Sequence, residues 1–376
     1  MIKRKEVQDV VEDYKTVRIG VLGSHSAEEV GIAAKAFGFE TVVLCQKGRE
    51  KLYSDYNKFL FDHVILLDKF SDMVNKDIQE KLRKLNVIFI PNRSFSVYVG
   101  FDKIENNFLI PIYGNRFLLR TEERTEAKNQ YWLLKNSGIR IPKEFNSPND
   151  VDRLCIVKVQ QKLKPLERAF FYPISMQDYY EKARELISKG IIDEEGLEKA
   201  RIEEYILGQK FNANFHAWAL NDVFGKFDFV GFDDRKQVNL SGIRDLPAIE
   251  QLKLNVSIKN EEIGHYGLTM RESQKPLVYD AAEKFIQTCK KEFSPGIIGM
   301  FALQGAVSED PVTNKLEFFV FDVSPRIPGC PCIGPTSPEM RRLSIKFKRD
   351  IQTPLDMSML EIKHAEKNNR LMEVVT

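Results

Sequence analysis

Two apolar runs in the last quarter of the chain each carry one oxygen-bearing side chain where a hydrophobe would be expected. In Phe318-Phe319-Val320-Phe321-Asp322-Val323-Ser324-Pro325-Arg326, a period of two puts Phe319, Phe321 and Val323 on one face and Phe318, Val320, Asp322 and Ser324 on the other. In Met300-Phe301-Ala302-Leu303-Gln304-Gly305-Ala306-Val307, Phe301, Leu303 and Val307 make the greasy face, and Gln304 sits among small residues. The turn-forming stretch 309–314 joins the two into a hairpin, and centring it near Thr313 sets Gln304 opposite Asp322. Such side chains, roughly 5 Å apart across a sheet, could hold a hard cation such as Mg²⁺ together with nucleotide phosphates. They could equally be a polar pair on a wet sheet face.

A second candidate lies near the amino terminus. Gly23-Ser24-His25-Ser26 reads as a tight turn between the buried run Val17-Arg18-Ile19-Gly20-Val21-Leu22 and a helix over 27–37. At the carboxyl end of a parallel strand, its N–H groups, two hydroxyls and helix start would favour a phosphate or carboxylate. His25 adds a donor when protonated, or an acid/base near neutral pH. A plain helix N-cap by Ser24 or Ser26 accounts for the serines but less well for His25, and the spacing is not the G-x-G-x-x-G dinucleotide fingerprint. Arg116, Arg120 and Arg124 recur every four residues, so on a helix they would line one side as a phosphate clamp; Glu122 and Glu123 offer the alternative of a solvated salt-bridge face. Lys158 interrupts the strand-like Leu154-Cys155-Ile156-Val157-Lys158-Val159. Cys330-Pro331-Cys332 lacks the second Cys or His cluster that zinc needs.

Rigid elements must present these side chains. The 376 residues suffice for two or three domain-sized units, and 56 basic against 54 acidic residues leave a net charge of +2. No global field argues for nucleic acid, so any anion site must be local. No run approaches the roughly 18 apolar residues that span a membrane, and the polar start Met1-Ile2-Lys3-Arg4-Lys5-Glu6 gives the expectation of a cytoplasmic protein. Strands over 17–22, 41–45, 63–67 and 87–91, with helices over 27–37 and 73–85, predict an open parallel α/β domain. A helix over 126–135, strands over 154–159 and 170–174 and a helix over 176–188 follow. Short strands then dominate from Phe211, the last before the helix over 275–293 spanning 266–271; the tail 349–376 reads as helical, charged and peripheral.

This order resembles the ATP-grasp superfamily of carboxylate–amine ligases and, more closely, the archaeal formate-dependent ligases that formylate aminoimidazole-carboxamide ribonucleotide (AICAR) in purine biosynthesis, the FAICAR synthetases. The matching signposts, in family order, are Gly23-Ser24-His25-Ser26-Ala27, Gly114-Asn115-Arg116-Phe117-Leu118-Leu119-Arg120, Ile156-Val157-Lys158, Ile202-Glu203-Glu204-Tyr205-Ile206-Leu207-Gly208, Asp234-Arg235, Arg271-Glu272-Ser273, Pro295-Gly296-Ile297-Ile298-Gly299 and Phe321-Asp322-Val323-Ser324-Pro325-Arg326-Ile327. The resemblance implies an α/β ATP-grasp fold with a parallel, Rossmann-like domain over 1–124, one grasp subdomain over 125–208 and another, with the metal hairpin and tail, over 209–376. It implies AICAR, formate and ATP as substrates, Mg²⁺ or Mn²⁺ as the metal, a homo-oligomer, and neither a nucleic-acid nor a membrane partner. Ser24, His25 and Ser26, with Arg116 and Arg120, would bind the ribotide. Lys128, Lys158, Glu203, Glu204, Tyr205, Ile206 and Asp234 would bind the nucleotide, Gln304 and Asp322 the metal, and Arg271 and Arg326 would serve the chemistry.

The chain also departs from the family pattern. The segment Gln160 to Arg168, where the family has a glycine-rich phosphate loop, offers Lys162, Lys164 and Arg168 but no glycine. Gln304 replaces a glutamate, Asp322 is a methylene shorter than a glutamate, and Pro328-Gly329-Cys330-Pro331-Cys332 stands where a small flexible loop serves the substrate. The alternatives are a diverged paralogue that binds nucleotide or a partner without catalysis, and a ligase for another acid and amine.

Overall fold

Short apolar runs separated by glycine and polar turns produce a parallel sheet first. Strands β1 (Arg18–Leu22), β2 (Glu40–Gln46), β3 (His63–Leu67) and β4 (Val87–Ile90) lie in the order β3-β2-β1-β4. The central strand β1 pairs in parallel with β2 (Val21 opposite Val43) and with β4 (Val21 opposite Ile90). Both faces of such a sheet are covered, so these strands read as continuous rather than alternating apolar runs. The helix Ala27–Ala36 follows β1 directly and ends before Gly38, whose φ of 72° is the left-handed conformation that stops a helix. The helix expected over 73–85 divides into a 3₁₀ segment Phe70–Val74 and an α-helix Lys76–Lys84, because Asn75 adopts extended angles between them.

In this computed structural model residues 1–160, 168–237, 240–254, 262–310 and 313–376 are described. They form two compact units: one of Met1–Ile139, Lys210–Gly305 and Asp322–Thr376, the other of Arg140–Gln209 and Ala306–Phe321. The smaller unit holds an antiparallel sheet of β5 (Glu144–Phe145), β6 (Cys155–Gln160), β7 (Arg168–Phe171) and β8 (Arg201–Glu204), in the order β5-β8-β6-β7. Its core is Val157, Val159, Phe171, Tyr179 and Ile202, with Tyr179 supplied by the helix Met176–Ser188. A five-stranded sheet runs in the order β11-β10-β9-β12-β13, with β9 (Gln209–Ala217), β10 (Phe227–Gln237), β11 (Glu262–Leu268), β12 (Gly299–Glu309) and β13 (Leu316–Ser324). Strand β11 begins four residues earlier than the sequence pattern indicates, because Gly264 and Gly267 interrupt any apolar alternation there.

The tail corrects the expectation of a peripheral segment. Its helix Asp356–Lys367 buries Met357, Met359, Ile362 and Ala365 in the core of the larger unit, and Val374 and Val375 join the same core. The chain end also extends the parallel sheet, with Thr376 N–H donating to Ile112 O and Ile112 N–H to Thr376 O, both at 3.0 Å. Charge is abundant in this segment, and two of its carboxylates, Asp356 and Glu361, are themselves buried beside the methionines.

Candidate active site

The turn after β1 is built by close packing. A Cβ on Gly23 would overlap the Cys45 sulfur of β2, so glycine alone lets the chain turn there. Ser26 has φ 62° and stands at the N-cap position of the helix Ala27–Ala36, yet its side chain makes no capping bond. Its Oγ lies 3.0 Å from His25 Nδ1, which leaves the capping explanation of this serine without support. Asn92 fixes the turn from below, its amide donating to His25 O at 2.8 Å and to Leu22 O at 2.9 Å. The His25 ring rests on Gly329, where φ is 74° and where any Cβ would overlap the imidazole.

Glu262 reaches this turn, and three more charged side chains of the larger unit stand behind it. Glu262 approaches His25 Nε2 at 3.7 Å, forms an ion pair with Arg235 at 3.1 Å and pairs with His265 Nε2 at 2.7 Å. The other ring nitrogen of His265 faces Asp233 at 2.5 Å, and Asp233 is held in turn by the amides of Asn212 (2.9 Å) and Asn214 (2.6 Å). Burial works against charge on His265, but its bonds to Asp233 and Glu262 prevail and push its pKa up to about 9. Burial likewise opposes ionisation of Glu262, yet its partners His25, His265 and Arg235 hold it well below the usual carboxylate range. Glu29, on the helix that starts at the turn, goes the other way: burial raises it to about 7, against hydrogen bonds from Ser26 and the Cys330 N–H. Glu29, Asp233, Glu262 and His265 were not singled out as site residues from sequence. The charge cluster at 233–236 was a visible signal, but the late start assigned to β11 left Glu262 and His265 outside any element.

The arginines do not form the expected clamp, because residues 119–122 make a 3₁₀ turn rather than a long helix. Arg116 is buried and donates from Nη1 and Nη2 to the carbonyls of Ile104, Phe108, Ile110 and Thr376, so it holds the core rather than a ligand. Burial lowers its pKa to about 10. Arg120 is bound to Glu105 at 2.9 Å, Asp102 at 2.6 Å and Glu126 at 2.9 Å, and these bonds raise its pKa. Arg124 comes within 3.6 Å of Asp322. Arg326, which is buried, pairs with the equally buried Glu122 at 3.0 Å, and Glu122 also receives Arg93 at 2.5 Å. Burial lowers the Arg326 pKa. The amide of Gln304 donates to Ser324 Oγ at 3.1 Å, so the side-chain partner of Gln304 across the hairpin is Ser324, one position further along the face expected to carry Asp322.

The remaining predicted residues sit apart. In the larger unit, Lys128 pairs with Glu292 at 2.9 Å over the Trp132 ring, Asp234 accepts from Tyr266 Oη at 2.9 Å, and Arg271 is exposed at the start of the 3₁₀ turn Glu272–Gln274. In the smaller unit, Lys158 and Glu203 form a buried pair at 2.6 Å, and Glu203 also meets Arg201 at 2.6 Å. Glu204 binds Arg153 at 3.2 Å, Tyr205 packs edge-on against Tyr172 at 5.4 Å, and Ile206 is buried against Ala306 and Phe319. Lys162 and Lys164 of the glycine-free segment lie outside the described residues.

Comparison with known proteins decides the family. The model described as "Domain of unknown function (DUF1297)" matches residues 178–376, and that described as "Protein of unknown function (DUF1246)" matches 19–145. The 5-formaminoimidazole-4-carboxamide-1-(beta)-D-ribofuranosyl 5'-monophosphate synthetase of Methanopyrus kandleri is 36% identical over 331 residues, 88% of each chain. That of Methanocaldococcus jannaschii is 35% identical over the same span and coverage. The chain belongs to this synthetase family. Among solved structures, an IMP biosynthesis protein PurP from Thermococcus kodakaraensis superposes with a TM-score of 0.67 at 21% identity, covering 95% of this chain and 100% of that one. N5-carboxyaminoimidazole ribonucleotide synthetase from Thermotoga maritima gives 0.52 at 13% identity, covering 93% and 76%. The fold of this synthetase is therefore the ATP-grasp fold, as the sequence order indicated.

The hairpin carries two oxygen-bearing side chains of the type that a hard divalent cation takes. Asp322 supplies a part-exposed carboxylate, and Gln304, whose amide nitrogen is turned to Ser324, supplies a carbonyl oxygen. Two protein oxygens suffice for a cation that takes its other ligands from phosphates and water. Among the described residues, no helix is long and apolar enough to cross a membrane.

Proposed function

We propose that this chain is an ATP-dependent ligase that forms FAICAR from AICAR, formate and ATP. The supporting observation is 36% identity across 88% of both chains with a relative named for that product. ATP phosphorylates formate; the AICAR amine attacks the carbonyl carbon of formyl phosphate, the C–O bond to phosphate breaks, and the amine loses a proton. In this reading Ser24, His25 and Ser26 take the ribotide phosphate, while Arg120 already shares its charge among three carboxylates. Lys158, Glu203, Glu204, Tyr205 and Ile206, together with Lys128 and Asp234, serve the nucleotide. Arg271 and Arg326 neutralise charge on the transferring phosphoryl group, which is where such enzymes gain most of their rate. Gln304 and Asp322 would hold Mg²⁺, which when bound screens phosphate charge. The protein works in the cytoplasm as a homo-oligomer.

Phosphate release is measured with formate, AICAR and ATP together and with each omitted, and FAICAR is followed by chromatography. Release should require both formate and AICAR. ATP binding without any such coupled release would reject this substrate pair and favour the non-catalytic paralogue.

A further inference from the structure

The polar chain that reaches His25 is longer than binding a phosphate requires. Strand β10 delivers Asp233 and Arg235, and β11 delivers Glu262 and His265; the strands pair with Asp233 opposite Gly267 and Arg235 opposite His265. Asp233 and His265 side chains are buried, whereas Glu262, at 29% exposure, reaches the wet turn. Since both His265 nitrogens face carboxylates, at 2.5 and 2.7 Å, each must carry a proton, and that cation lets Glu262 stay ionised in a half-buried place. Glu262 then offers only acceptor atoms to Nε2 of His25.

We infer that Glu262 and His265 are positioning residues of the ribotide site: the chain Asp233–His265–Glu262 sets His25 in the Nε2–H tautomer, seated on Gly329, with Nδ1 turned to Ser26. A hydrogen bond at one imidazole nitrogen dictates the state of the other. With the Glu262 carboxylate 3.7 Å from Nε2, its charge favours a proton on that nitrogen, and Nδ1 then accepts from the Ser26 hydroxyl 3.0 Å away. Ser26 Oγ also lies in hydrogen-bonding contact with Glu29 on the helix that the turn opens. Ring and hydroxyl are thus ordered before a ligand arrives, so binding does not have to freeze two side chains. Gly329 is part of the same device, because a Cβ there would overlap the ring. The groups facing His25 are Ser26, Glu262 and, through them, Glu29, Arg235 and His265.

The inference rests on the ribotide reading of this turn, and the test separates the two. The full chain, ¹⁵N-labelled at histidine, is compared at pH 8 with Glu262→Ala, Glu262→Gln and His265→Asn by long-range ¹H–¹⁵N NMR, and AICAR and ATP affinities are measured by calorimetry. Glu262→Ala should leave His25 as a mixture of tautomers and weaken AICAR binding about tenfold, with ATP affinity unchanged. Glu262→Gln, whose amide oxygen still faces Nε2–H without the charge, should recover part of both. His265→Asn should act in the same direction, and KM for AICAR should move more than kcat. If His25 keeps one tautomer in Glu262→Ala, or AICAR affinity stays within twofold while the wild type binds it, the inference is overturned. If the wild type does not bind AICAR at all, the ribotide reading fails, and the His25 tautomer alone then judges the positioning role.

Discussion

Glu361 gives a sharp test of the tail as core. Its carboxylate is fully buried and accepts three hydrogen bonds: from Ala219 N–H at 2.8 Å, Leu220 N–H at 2.9 Å and Tyr113 Oη at 2.7 Å. Burial, followed by the Glu361 charge, raises the Tyr113 pKa, so the phenol stays protonated and donates. Glu361→Ala strands all three donors. Each buried donor left unpaired costs about 1–3 kcal/mol, and bonds to a charged acceptor stand at the upper end. Tyr113 can turn to His216 Nε2, 3.3 Å away, which recovers part of one. The expected loss is therefore about 4–6 kcal/mol. Glu361→Gln keeps one oxygen for the two backbone donors and can donate to Tyr113, so about 1–2 kcal/mol should be lost. Urea unfolding is followed by the fluorescence of Trp218, which stacks on Phe224 at 4.4 Å and reports on the larger unit. The midpoint should shift with little change in slope. A Glu361→Ala protein within 1 kcal/mol of wild type, or a Gln variant as damaged as the Ala one, refutes this account of the tail.

Two further outcomes follow from the site. Gln304→Glu adds a second carboxylate to the hairpin pair and should lower the Mg²⁺ concentration needed for half-maximal phosphate release by up to about tenfold, since ligand charge tunes affinity for hard cations; an unmoved Mg²⁺ titration would remove Gln304 from the metal site. His265 has a folded pKa of about 9 against an ordinary value near 6.5, so the stability it contributes is complete below about pH 6.5 and is lost as pH rises through 9. Melting curves of wild type and His265→Asn should therefore converge between those limits, and a gap that does not narrow with rising pH would contradict the network.

Much of the fold could be read from apolar period alone. The four parallel strands, the helix Met176–Ser188 and the β12–β13 hairpin stand within a few residues of their expected places, because long runs of one type leave few alternatives. Strand β11 and the tail were harder for opposite reasons. In β11 the residues are polar and glycine-rich, held by pairing to β10 and by ion pairs rather than by a greasy face. In the tail, Asp356 and Glu361 flank the methionines and are buried with them, so the core face does not read as an apolar stripe. The site divides in the same way. His25 and Ser26 were legible because a turn after a buried strand has a physical use. Their neighbours Glu262 and His265 are more than 230 residues away and become neighbours only through the pairing of β10 with β11. Arg116 shows the converse: a spacing that fits a helical clamp means nothing when the segment is not a helix and four carbonyls surround the guanidinium.

Gln304, where the resemblance implies a carboxylate, has surroundings that suit an amide. Ser324, buried beside it, receives the Gln304 amide, a bond that a carboxylate could replace only by reversing the hydroxyl. Asp322 meanwhile has Arg124 at 3.6 Å, so the fixed charge of the pair and its arginine is close to neutral, where two carboxylates with the same arginine would leave one net negative charge. A divalent cation approaching a neutral hairpin gains little from the protein and must draw its attraction from the phosphates it accompanies. In the proposed metal pair Asp322 is thus the half that brings charge, whereas Gln304 contributes only a dipole.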